Sequence, residues 1–196
     1  MTGIILSGGE NRRMGTDKAF LKVAGFPMIE HVLRALESVF HEIIIVTNAP
    51  ARYTGYKVKV VTDAFDKRGP LTGIYSGLMN SLEEYNFVVA CDMPFLNPSL
   101  IAYMAGLADG YDAVVPSVGG LIEPLHAVYR KGIAPLMERQ IKEDRRRIRE
   151  LFERVRIRYV TEPEIDRFDP MRKSFKNLNT PREYEEAACA DWECRS

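Results

Sequence analysis

Leu6-Ser7-Gly8-Gly9-Glu10-Asn11-Arg12-Arg13-Met14-Gly15-Thr16-Asp17-Lys18 decides how this chain is read. It continues directly from Ile4-Ile5, so a short apolar strand runs into a glycine turn that then supplies two arginines and a lysine. Glycine lets backbone N–H groups come close to an anion because no Cβ intervenes. Arginine and lysine can then neutralise a polyphosphate, one as a planar fork and the other as a point charge. Two common phosphate loops do not fit. Gly9 and Gly15 stand one residue too far apart for the Walker A spacing, and Gly15 is not followed by Lys-Ser or Lys-Thr. The dinucleotide pattern Gly-x-Gly-x-x-Gly is also missing.

Downstream, buried strands alternate with helices. Continuous β-branched or apolar runs predict strands over 42–47, 58–62, 87–91 and 113–116, an alternating one over 155–160, and a further strand of undecided direction over 124–129. Apolar residues at 28, 29, 32, 33, 36 and 39 predict a helix over 28–40, and similar patterns place helices over 71–82, 98–107, 132–140, 145–153 and 181–188, the last with Thr180 as N-cap. Residues 162–174 read as a surface loop. Such alternation implies right-handed βαβ units: an α/β, Rossmann-like, mostly parallel sheet with helices on both faces. One domain over 1–188 with a short tail over 189–196 accounts for the length. Ligands in such sheets bind beyond the carboxyl ends of the strands. Here those ends are Gly8-Gly9, Asn48, Asp63 and Asp92.

Composition narrows the function classes. With 27 basic and 27 acidic residues there is no global field to draw the chain to nucleic acid or a membrane, so any anion site must be local. Three cysteines, Cys91, Cys189 and Cys194, lack metal spacing and cannot form a disulfide framework; Cys91 reads as a small core residue. The start of the chain does not resemble a signal peptide and no segment reaches the length of a membrane span, so a cytoplasmic location is expected. His31, His41 and His126 are scattered and join no nucleophile set. The basic run Arg145-Arg146-Arg147-Ile148-Arg149 is interleaved with acids and reads mainly as a solvated helix face.

Asp92, in Cys91-Asp92-Met93-Pro94-Phe95, ends an apolar strand, where its carboxylate could hold a hard cation or simply cap the next turn. Asp63 ends another strand, and Gly73 in Gly69-Pro70-Leu71-Thr72-Gly73 could let a helix approach a flat ligand or another backbone. Asn177 and Asn179 face one side of an extended segment, suited to a polar ring or to an Asx-turn.

Taken together, the loop with Arg13-Met14-Gly15 and Asp17-Lys18, the block Gly69-Pro70-Leu71-Thr72-Gly73, the block Cys91-Asp92-Met93-Pro94-Phe95-Leu96 and the block Asn177-Leu178-Asn179-Thr180-Pro181 resemble, in order, the MobA family of molybdenum cofactor guanylyltransferases. Ser7 stands where that family usually has Ala, and the segment before Asp17-Lys18 is a residue shorter than in some members. Gly8-Gly9 separates the chain from related cytidylyltransferases, which carry Ala-Gly there.

The resemblance implies the fold of the nucleotide-diphospho-sugar transferases and transfer of GMP from GTP to the terminal phosphate of molybdopterin or Mo-molybdopterin, with release of pyrophosphate. It further implies that Leu6, Ser7 and Gly8 contact the nucleotide through the backbone, Lys18 binds its phosphates, Asn48 and Asp63 lie near base and ribose, and Asp92 ligates Mg²⁺. Arg13 and Lys18 would stabilise the transferring and leaving groups, and Asn177 and Asn179 would lie toward the pterin. A GTP-binding partner and apo-molybdoenzymes are the implied protein partners. Cytidylyl or sugar-phosphate transfer, and a nucleotide-binding module without turnover, are the alternatives.

Overall fold

The computed structural model describes residues 1–8, 18–66, 69–178 and 183. In chain order its elements are β1 (Thr2–Leu6), β2 (Lys22–Val23), β3 (Phe26–Pro27), α1 (Met28–Glu37), β4 (Ile43–Val46), β5 (Lys59–Val61), α2 (Pro70–Asn80), β6 (Tyr85–Ala90), α3 (Pro98–Gly106), β7 (Ala113–Val118), β8 (Leu121–Ile122), β9 (His126–Arg130), α4 (Ala134–Lys142), α5 (Ile148–Phe152), β10 (Ile157–Val160) and α6 (Glu162–Ile165). Single 3₁₀ turns at Lys18–Phe20, Pro50–Tyr53, Lys131–Ile133 and Lys173–Phe175 join them.

The main sheet runs β10-β7-β9-β6-β1-β4-β5, with β8 paired to β7. Side chains alternate across it with the period of two that a pleated strand imposes. Ile5, Ile43, Ile45, Phe87 and Val89 point to one face, under α1 and α3. Ile4, Leu6, Ile44, Val46 and Val88 point to the other, under α2, α4 and α5. Both faces are dry, which is why these strands read as unbroken apolar runs rather than alternating ones.

Glycine sets how closely α2 can lie. A Cβ on Gly77 would stand 2.5 Å from Ile4 Cγ2, and one on Gly73 would stand 3.2 Å from Leu6 Cδ2. Four helical residues rise about 6 Å and two strand residues about 6.6 Å, so glycines four apart meet strand residues two apart in step. Gly73 therefore makes room for the Leu6 side chain rather than for a ligand.

Several sequence expectations change, among them the helix expected over 145–153, which spans only Ile148–Phe152. The segment 124–129 is a strand shifted to His126–Arg130 and antiparallel to both β6 and β7. Helix α1 ends at Glu37, where the amides of Val39 and Phe40 both turn back to the Leu36 carbonyl and Phe40 folds in against Phe87. Residues 162–174, expected to be a loop, hold α6 and a 3₁₀ turn. Helix α6 is fixed by a capping box: the Thr161 amide and hydroxyl each donate to Glu164 Oε2 at 2.8 Å. The helix expected over 181–188 and the tail over 189–196 lie outside the described residues, Glu183 excepted.

Candidate active site

Strand order reverses at β1, which has β4 on one side and β6 on the other, both parallel to it. A crevice opens beyond the carboxyl ends of such strands. Leu6 is in register with Ala90, and the Cys91 amide donates to the Leu6 carbonyl at 3.0 Å, so the turn after β1 and the turn after β6 lie side by side. Ser7 and Gly8 are thereby brought next to Cys91 and Asp92.

The Ser7 amide is committed to the sheet, donating to the Val46 carbonyl at 2.8 Å, and its side chain is buried. Gly8 is the first exposed residue of the turn, and a Cβ there would have Asn48 Nδ2 as its neighbour at 3.9 Å. Asn48, just past β4, donates from that nitrogen to Asp63 Oδ2 at 2.8 Å. The bond fixes which way the amide faces and joins the ends of β4 and β5. It uses one amide hydrogen and leaves the other, with the carbonyl oxygen, able to meet a ligand.

Asp92 is half-buried. Its burial raises the carboxyl pKa above the usual value, and the nearby Lys18 ammonium offsets only part of that rise. Lys18 opens the 3₁₀ turn at Lys18–Phe20, which sets its ammonium near Asp92. The Asp92 carbonyl accepts the Leu178 amide at 3.0 Å, which brings Asn177, exposed, to the same edge. That segment is held from behind: the Asn97 side chain caps α3 by accepting from Ser99 and Leu100 and donates to the Phe168 carbonyl at 2.7 Å, while the Asn97 amide donates to Ser174 Oγ at 3.0 Å.

The structure thus gathers Leu6, Ser7, Gly8, Lys18, Asn48, Asp63, Asp92 and Asn177 at one end of the sheet. Arg13 and Asn179 lie outside the described residues. The basic run differs from the expected helix face: Arg145, Arg146 and Arg147 precede α5, while their charges are paired with acids as expected, Arg145 with Glu143 and Glu150 and Arg146 with Asp144. Arg149 instead borders an open cavity of about 320 Å³ with Ile122, Phe152 and Tyr159, which contains none of the residues above. Cys91 is only partly buried, at the rim of the core, rather than inside it.

Sequence reasoning missed Tyr53. It is fully buried, and its hydroxyl shares a hydrogen bond of 2.5 Å with Ser7 Oγ. Its neighbours in the chain are polar, and no spacing rule ties residue 53 to residue 7. Among the described residues no group of three or more His, Cys, Asp or Glu could hold a metal, and no helix is long and apolar enough to cross a membrane.

An exposed glycine after the first strand, a lysine and a strand-end carboxylate meet at the reversal point of a parallel sheet, an arrangement compatible with a nucleotidyltransferase. Residues 3–159 match the model of the MobA-like NTP transferase domain, and the chain belongs to that family. It is 41% identical over 192 residues to the molybdenum cofactor guanylyltransferase of Desulfosudis oleivorans, covering 97% of this chain and 95% of that protein. It is 38% identical to a probable molybdenum cofactor guanylyltransferase of Natranaerobius thermophilus, covering 95% and 94%. The crystal structure of molybdopterin-guanine dinucleotide biosynthesis protein A from Archaeoglobus fulgidus superposes with a TM-score of 0.86 at 29% identity, over 98% of this chain and all of that one.

Proposed function

We propose that this chain transfers GMP from GTP to the terminal phosphate of molybdopterin, with or without its metal, and releases pyrophosphate. The observation that carries the reading is the half-buried Asp92 facing Lys18 beside Gly8, in a chain so similar over nearly its whole length to molybdenum cofactor guanylyltransferases.

An oxygen of the acceptor phosphate attacks the α-phosphorus, the bond to the α–β bridging oxygen breaks, and pyrophosphate leaves with that electron pair. A phosphate monoester has a second pKa of about 6, so the nucleophile is already anionic at neutral pH and needs no general base. What the protein must do is hold two repelling anions in line and stabilise the developing charge. The backbone at Gly8 receives the nucleotide, Asn48 and Asp63 meet its base and ribose, Lys18 and Arg13 neutralise its phosphates, and Asn177 and Asn179 receive the pterin.

Asp92 would hold Mg²⁺. Its donor chemistry fits: Mg²⁺ is usually bound by one or two carboxylates completed by substrate phosphates and water, and a carboxylate whose charge burial disfavours favours a cation. When bound, the ion supplies charge neutralisation on phosphate oxygens.

The test is titration of the purified chain with GTP, CTP, ATP and UTP in the presence of Mg²⁺, followed by an assay of pyrophosphate release with molybdopterin. Preference for GTP and acceptor-dependent pyrophosphate support the reading. Preference for CTP moves the activity to cytidylyl transfer, and tight binding without pyrophosphate release reduces the chain to a binding module.

A further inference from the structure

Three segments that face the proposed nucleotide converge on one buried side chain. Tyr53 ends the 3₁₀ turn at Pro50–Tyr53, five residues after Asn48, and is fully buried. Its hydroxyl shares the 2.5 Å hydrogen bond with Ser7, the residue before Gly8. Its ring packs on Phe20, two residues after Lys18, with centroids 5.2 Å apart and planes tilted by 47°. Tyr56 packs on it in turn at 6.1 Å. One buried side chain, five residues after Asn48 in the chain, is thus bonded to the residue before Gly8 and packed on the residue two after Lys18.

We propose that Tyr53 is a positioning residue for the bound nucleotide: it fixes the separation between the Gly8 backbone, the Lys18 ammonium and the Asn48 amide, which must all meet one triphosphate. The proposal rests on the reading of this end of the sheet as the nucleotide site. The physical argument is preorganisation. Groups held in place before binding do not lose conformational freedom when the ligand arrives, so the ligand's affinity is not spent on ordering them. The hydroxyl–hydroxyl bond is well placed for this. Both partners are buried, so water cannot readily replace either one when the bond is removed.

The test compares the unaltered full-length chain with Tyr53→Phe, Ser7→Ala and the double variant. Each is titrated with GTP and Mg²⁺, assayed for kcat and for KM toward both substrates, and melted. Tyr53→Phe keeps the ring packing and removes only the hydroxyl. It is expected to weaken GTP binding by about 5- to 20-fold and to raise the KM for GTP by a similar factor. The acceptor KM and kcat should stay within about twofold, because the proposal places the loss in ground-state positioning of one substrate. Ser7→Ala weakens GTP binding by a comparable factor, and the double variant is no worse than either single one, since all remove the same bond. Unchanged GTP affinity in Tyr53→Phe overturns the proposal while leaving the nucleotide reading intact. So does a loss shared equally by both substrates, which would mark Tyr53 as a core filler, or strict additivity in the double variant. No binding of GTP by the unaltered chain overturns the nucleotide reading and this proposal together.

Discussion

Two carboxylates in this molecule, Asp92 and Glu164, are of similar chemistry and lie in opposite circumstances. Burial pushes both upward in pKa. At Glu164 that push is outweighed by donors from Arg158, the Thr161 amide and hydroxyl, and the Tyr103 hydroxyl at 2.7 Å, which together hold it down to about 2. At Asp92 the single opposing charge of Lys18 does not outweigh burial, and the pKa stays raised. The surroundings of Glu164 continue in the same manner, with Arg172 bridging Glu162 at 2.6 Å and Asp166 at 2.9 Å, and Asp169 accepting from the amides of Lys173 and Ser174. A carboxylate that the protein satisfies is part of the frame. One that the protein desolvates and leaves facing a cation is prepared for something that arrives later.

The contrast can be broken at either carboxylate. Asp92→Asn should give the largest effect, lowering turnover by about 10²-fold or more, as loss of one electrostatic group does. The folded-state pKa of Asp92 is raised, so the folded chain binds this proton more tightly than the unfolded one. Ionised Asp92 therefore subtracts from stability, a penalty that sets in as pH rises from the ordinary 3.8 through the folded value. The neutral variant should melt about 1–4 °C higher at neutral pH while being nearly inactive. A lower melting temperature with turnover intact would assign Asp92 to the frame.

Glu164→Gln should do the reverse, with turnover within about twofold and a melting temperature lower by about 2–5 °C through loss of the carboxylate charge paired with Arg158, while the Gln carbonyl can keep the cap on the Thr161 amide. Here the folded pKa is depressed, so the contribution is complete above the ordinary 4.5 and is lost as pH falls toward about 2. The melting temperature of the variant should change less with pH across that acid window than that of the unaltered chain, and because the site is partly open to solvent the difference should shrink in high salt. The smallest effect sharpens the comparison without breaking it: in Lys18→Met, the Asp92 carboxyl signal followed by NMR should titrate at still higher pH, since the Lys18 charge that opposes its burial is gone. An unmoved titration would show that Lys18 is not what offsets the burial of Asp92.

Much of the architecture was legible because two periodicities write it directly into the chain. Ile43-Ile44-Ile45-Val46 could only be a strand buried on both faces, and the spacing of Met28, Ile29, Val32, Leu33 and Leu36 could only be one face of a helix. Strand ends then point to Gly8, Asn48, Asp63 and Asp92, because ligands of parallel sheets gather there. What escaped were features set by tertiary contact. The direction of β9 depends on which neighbours it reaches, and its apolar run reads the same in either sense. Gly73 offered a gap without naming its occupant, which proves to be Leu6. Tyr53 acts across 46 residues through one hydroxyl, and no local pattern encodes such a bond. The capping box at Thr161 and Glu164 was within reach of sequence reasoning, but the charges around it read as solvated loop.

The bond from the Leu178 amide to the Asp92 carbonyl has a consequence for the order in which the protein is made. Chains emerge from the ribosome amino end first, and domains acquire structure as they emerge. The strands followed by Gly8, Asn48, Asp63 and Asp92 are all synthesised within the first half of the chain, whereas the Leu178 amide that docks Asn177 comes 86 residues after Asp92. The side of the crevice proposed for the nucleotide is therefore translated well ahead of the side proposed for the acceptor, and a growing polypeptide has Gly8, Asn48, Asp63 and Asp92 in hand before it has the segment carrying Asn177.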